Sequence, residues 1–213
     1  MEKDVIILTK SFKRSGYCIA GIDYKTGEWI RLVSSNIFTE GAVPEEQLTL
    51  DNGKELDIYD IISVDIIKST GTLVQPENYL YDERKKWGYK GESYLEEVIE
   101  KHGYDNPDFV FGNTNNRLDA GTVFNASPSL LLLYIEDGEI FIKTFEKQKI
   151  QLNFWFNKHH YQYFKITQED LKDFFRTKSD GTYALISNSI VFSLTDKFSY
   201  DNRYYKVVAQ FLE

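Results

Sequence analysis

Apolar residues in this chain fall mostly in short runs, broken every eight to twelve residues or so by Gly, Pro and Asx positions, a pattern that specifies strands rather than long helices. Residues 5–8 read as a buried strand. Residues 17–23 and 28–33 flank Tyr24-Lys25-Thr26-Gly27, an apolar run, a Gly-containing turn and a second run opening with Glu28. This predicts a β-hairpin. The same arrangement recurs roughly a hundred residues later, with residues 129–135 and 139–145 flanking Glu136-Asp137-Gly138. A second hairpin is predicted there, and the repetition predicts two similar modules.

Between and around these hairpins the pattern changes. Residues 58–68 read as one long strand whose imperfect alternation calls for a bulge. Residues 69–127 read as an elaborated connector. It holds one helix near 93–102, with Ser93 as N-cap, Glu96 at N3, Leu95, Val98, Ile99 and His102 along one face, and Gly103 as the stop. Beyond residue 128 come strands at 150–156, 161–166, 184–186, 190–194 and 204–212. A second helix is predicted near 168–177, with Leu171, Phe174 and Phe175 on one face. The fold expected is mainly β with minor α: two small Greek-key barrels of the OB-like type over 1–68 and 128–213, joined by the connector. An SH3-like barrel fits the same number of strands.

Composition sharpens this picture in one respect. The chain of 213 residues carries 15 Tyr, 15 Phe and 3 Trp, and rings suit pleated surfaces and binding grooves alike. The net charge of −8 argues against coating nucleic acid by charge alone but leaves room for a local basic groove. The single cysteine, Cys18, excludes an internal disulfide framework and reads as a small core residue. No secretory leader and no membrane-length apolar run occurs, so a reduced, cytoplasmic protein is expected.

Strand alternation then selects candidate binding residues. Trp29 and Arg31 share one strand face, opposite Ile30 and Leu32, which make the better core pair. An indole beside a guanidinium can stack a base and meet its phosphate. The structural alternatives are a cation–π pair between the two or a core role for Trp29. Phe141, Lys143 and Phe145 alternate in the second module, as a single-strand binding surface requires and as a half-buried strand also shows. Trp155 lies between Asn153 and Asn157, fit either to read a flat ligand or to cover an inter-module contact. The polar loop 112–117 ends in Arg117, a phosphate or base-edge candidate whose plain alternative is a solvated turn. His159 and His160 are adjacent and point oppositely, and His102 is remote, so no metal is expected. No Gly-x-Ser-x-Gly elbow, Walker loop or dinucleotide fingerprint is present, and neither a catalytic residue nor a cofactor is expected.

Residues Lys10-Ser11-Phe12-Lys13, 16–23 and 26–33 resemble the opening of bacterial dual OB-containing domain proteins, and 192–194 with 204–209 are similar to their closing strands. The resemblance covers nearly the whole chain. It implies two OB-like barrels and nucleic-acid binding, and it carries over only to Trp29 and Arg31, which sit in the matching motif. The function expected is a non-catalytic module for single-stranded nucleic acid or nucleotides. In it Trp29, Trp155 and Phe141 stack bases while Arg31, Lys143 and Arg117 meet phosphates. The alternative is a protein-interaction adaptor using the same aromatic surface.

Overall fold

A computed structural model describes residues 1–13, 16–121 and 128–213. The chain divides into two compact units, Met1–Gly103 with Ala126–Pro128, and Tyr104–Asn125 with Ser129–Glu213.

The first unit is built from β1 (Glu2–Lys13), β2 (Gly16–Asp23), β3 (Trp29–Val33), β4 (Asp60–Ser69), β5 (Asn78–Tyr81) and β6 (Gly88–Glu92), followed by α1 (Leu95–Lys101). The strands run in the order β1-β2-β3-β5-β4, and β1 pairs again with β4, which closes a five-stranded barrel. One long strand serves both seams: Val5 lies opposite Asp23 on β2 and opposite Ile62 on β4. A register shift between Ile7 and Thr9 bends β1 so that it turns the barrel corner. The β1–β2 approach is very close at Gly21, where an added Cβ would sit 1.8 Å from the Ile6 carbonyl oxygen. β3 and β5 run parallel, the crossover typical of a Greek-key barrel. Val5, Ile7, Ile19, Ile30, Leu32, Ile62, Val64, Tyr81 and Trp87 fill the core. The stretch 69–127, read above as a connector, supplies the barrel strand β5 and the added strand β6.

The long strand read at 58–68 is β4, and it carries register shifts at Ile61/Ile62 and at Ile66/Lys68. α1 ends as expected, with Gly103 at φ +82 donating its N–H to the Ile99 carbonyl at 2.9 Å. Its start differs: Tyr94, not Ser93, holds the N-cap position, and the Ser93 hydroxyl bonds the Glu97 carboxylate at 2.8 Å.

The second unit comprises β7 (Arg117–Asp119), β8 (Leu130–Tyr134), β9 (Asp137–Thr144), β10 (Gln148–Phe156), β11 (His159–Ile166), α2 (Glu169–Arg176), β12 (Gly181–Ala184), β13 (Ser189–Leu194) and β14 (Arg203–Leu212). Its sheet runs β12-β9-β10-β11-β14-β13-β8, with β7 added beside β14. β11 and β14 are parallel, as β3 and β5 are in the first unit.

The hairpin expected at 129–145 is not formed. β8 pairs with β13, whereas β9 pairs with β10 and β12. The two are consecutive halves of a broken strand, occupying the places that β1 alone occupies in the first unit. The reason is visible at the glycines. Gly27 takes φ +71 and closes a real turn between β2 and β3. Gly138 is extended within β9, opposite Phe154, where an added Cβ would crowd the Asn153 carbonyl at 3.1 Å. Leu131, Leu133, Ile140, Ile142, Ile150, Leu152, Phe154, Phe164, Ile190, Phe192 and Val208 form the core.

Candidate nucleic-acid interface

The two units treat their equivalent hairpins differently. In the first, β3 is buried along almost its whole length. Ile30 and Leu32 face the core as expected. Trp29 and Arg31, expected to point outward, are only 5% and 4% exposed. The Trp29 ring meets the His102 ring edge-on at 5.0 Å, and the His102 Nδ1 bonds the Gly27 carbonyl at 2.7 Å. Lys101 lies 3.8 Å from the Tyr24 ring centre. The end of α1 is therefore packed over the β2–β3 turn. Arg31 forms an ion pair with Glu77 at 3.2 Å, with both side chains nearly sealed from water. The assignment of Trp29 and Arg31 to a docking surface is corrected accordingly: alternation fixed their side of the strand, but that side is covered too.

In the second unit β9, β10 and β11 bury one face and leave the other open. Ile140, Ile142, Ile150, Leu152, Phe154, Tyr161 and Phe164 point to the core. The outward positions stand in cross-strand rows. Lys143 pairs with Lys149; Phe141 pairs with Gln151, which pairs with Lys165; Glu139 pairs with Asn153; and Asp137 pairs with Trp155, which pairs with His160. The Phe141 and Trp155 rows are four residues apart on β10, about 13 Å along the strand. Trp155 is 48% exposed and lies parallel to the His160 imidazole, with ring centres 4.8 Å apart. Their pairing follows from the two-residue turn Asn157-Lys158, where both residues take positive φ and fix the register.

Tyr163 joins this face by a different route. Tyr161 and Phe164 are both buried although three positions apart, so Gln162 and Tyr163 both project outward. The register shifts here, and Tyr163 has φ +62, an unusual and costly value for a non-glycine strand residue. Its ring is 46% exposed and meets Phe141 edge-on at 5.8 Å. Of the residues selected from sequence, Phe141, Lys143 and Trp155 are thus brought onto one sheet face. Arg117 is exposed on β7, opposite Tyr205, and its neighbour Asn116 bonds the Tyr163 carbonyl at 3.1 Å. Tyr163, Gln151, Lys149, Lys165 and His160 were not selected. The three-residue spacing of Tyr161 and Phe164 is the signal that marks Tyr163.

Charge on the face is graded. Lys143 and Lys149 lie 5.9 and 5.7 Å from the exposed Phe145 ring at the β9–β10 turn. Lys143 also pairs with Asp180 at 3.3 Å. Bonds from Thr144, and then Lys143, hold the Asp180 carboxyl below the usual carboxylate range. Glu139 and Asp137 mark the far end, where Glu139 accepts a bond from Asn153 at 3.2 Å. Cations thus cluster at one end beside Phe141, and Trp155 stands at the other, in one row with Asp137 and beyond Glu139.

Behind the face lies a buried cation. Lys206 is 1% exposed, and its ammonium donates to the carbonyls of Val110 and Asn113 and to Asn113 Oδ1 at 2.5, 2.6 and 2.8 Å. Burial pushes its pKa down to about 7. These bonds tie down the loop that carries Asn116 and Arg117. Among the described residues no three His, Cys, Asp or Glu side chains gather as a metal site, and no helix is long and apolar enough to cross a membrane.

A closed five-stranded barrel and a second unit whose sheet has one open ring-bearing face define the class of small OB-type β modules. The family model for the dual OB-containing domain matches residues 3–211, and the chain belongs to that family. No curated protein and no solved structure matches it.

Proposed function

We propose that this protein is a non-catalytic binding module for single-stranded nucleic acid or nucleotides, and that the open face of β9–β10–β11 holds the ligand. One observation carries the reading: Tyr163 and Trp155 are presented to solvent, with Phe141 half-buried against Tyr163, on a single sheet face whose one end bears Lys143, Lys149 and Lys165. Exposed rings are costly unless something covers them, and rings beside lysines suit unpaired bases joined by phosphates. The strand 2–strand 3 face is also where OB-folds bind oligonucleotides, which supports placing the ligand on β10 and β11. The acidic whole is compatible with this, because the lysines are local. Binding in the first unit is not part of the proposal, since the face of β3 that would serve is buried.

The test is fluorescence anisotropy with labelled single-stranded DNA and RNA at low and moderate salt. Binding should weaken steeply with salt. Binding that ignores salt, or that fails for every oligonucleotide while a protein partner is retained, would replace this reading with an adaptor role.

A further inference from the structure

The amides around Tyr163 are locked in orientation by its backbone. A backbone carbonyl can only accept hydrogen bonds. The Tyr163 carbonyl accepts two, from Gln151 Nε2 at 3.0 Å and from Asn116 Nδ2 at 3.1 Å. Neither amide can therefore be turned round: each must present its NH₂ group to the carbonyl and its oxygen away from it. On the other side of the same residue, the Tyr163 N–H donates to Asn153 Oδ1 at 2.9 Å, and Asn153 Nδ2 is spent on Glu139. Three amide side chains thus hold one residue at φ +62 in the middle of a strand. These bonds hold the Tyr163 backbone in that strained conformation, and with it the direction in which its side chain leaves the strand. Gln151 and Asn116 are both half-buried, and their amide oxygens are turned away from the Tyr163 carbonyl that their NH₂ groups hold.

We infer that Tyr163 is the central stacking platform and that the Gln151 and Asn116 oxygens beside it select bases bearing an exocyclic amino group. Adenine and cytosine offer N6 and N4 amino donors to such acceptors, whereas thymine and uracil present a carbonyl at the corresponding position. A carbonyl facing two amide oxygens leaves all of them unpaired, which costs affinity. This rests on the proposed nucleic-acid reading and adds base preference to it.

The experiment compares homopolymeric deoxycytidine and deoxythymidine oligonucleotides of equal length by anisotropy, two pyrimidine strands of the same charge. The deoxycytidine strand should bind about five-fold tighter or better. Tyr163→Ala should weaken it by roughly ten-fold, the size of one lost stack. Gln151→Met should bring the two affinities together while leaving the salt dependence in place. Circular dichroism on each variant confirms that it is folded, and Gln151→Met remains informative if Tyr163→Ala is not. Equal or reversed affinities in the folded parent protein, with salt-sensitive binding of both strands, would overturn the base preference and leave the interface standing. If neither strand binds the parent protein, both ideas fall together.

Discussion

The Arg31 guanidinium and the Glu77 carboxylate meet at 3.2 Å inside the first unit, and the backbone N–H of Arg31 donates to the Glu77 carbonyl at 2.8 Å. Side chain and main chain together bind β3 to the segment leading into β5. An ion pair so withdrawn from water repays its desolvation only while both partners are present. Arg31→Ala should therefore cost about 3–5 kcal/mol of stability by leaving a buried carboxylate without its cation. Urea unfolding measures this. Oligonucleotide affinity of the fraction that remains folded should be unchanged, since Arg31 is remote from solvent.

Trp29 and Trp87 are 5% and 1% exposed, whereas Trp155 is 48% exposed. Collisional quenching of tryptophan emission by acrylamide should thus arise almost wholly from Trp155. Trp155→Phe should abolish most of the quenching at little cost in stability, since its ring packs on His160 at the surface. Bound oligonucleotide should protect the parent protein from acrylamide and give no protection signal in Trp155→Phe.

How far the chain could be read before its structure was known depends on how local each determinant is. The β2–β3 hairpin and the end of α1 rest on Gly27 and Gly103, whose left-handed backbone is a local requirement. The β8–β9 break imitates a hairpin because Glu136-Asp137-Gly138 has turn composition, yet Gly138 is there to let β10 approach. Trp29 and Arg31 show the limit most clearly. Alternation assigns them correctly to the face opposite Ile30 and Leu32, but whether that face meets water depends on Glu77 and His102, far along the chain. Phe141, Lys143 and Trp155 share a face because they follow the same period-two rule on strands that are open on one side. Tyr163 escapes that rule because a bulge shifts the period.

Lys206 makes stability depend on pH in a distinctive direction. In the unfolded chain its ammonium titrates near the ordinary value of 10.5, whereas burial lowers the folded value to about 7. Between those limits the unfolded state holds a proton that the folded state has released, so stability rises with pH. Below about 7 both states are charged and the dependence vanishes. Thermal melts should show stability climbing from neutral pH toward about 10, with a slope approaching ~1.4 kcal/mol per pH unit from this group alone. Lys206→Met should remove that slope. A parent protein whose stability is flat over this range would show that the carbonyls of Val110 and Asn113 keep the ammonium charged.

The three lysines on the open face give the proposed interface a measurable charge signature. Lys143, Lys149 and Lys165 project from β9, β10 and β11, and Lys143 pairs with Asp180, itself exposed. Each lysine that meets a phosphate of a single strand should contribute about 0.7 to the slope of log affinity against log salt. Replacing all three by Gln should flatten that slope by about two and weaken binding most at low salt. Folding should be spared, because exposed charges of this kind contribute little to stability. Replacing Lys3, Lys54 and Lys101 of the first unit, which pair with Asp23, Asp60 and Glu97, should leave the salt slope untouched. A slope that responds equally to both sets would mean that the ligand is held by overall charge rather than by this face.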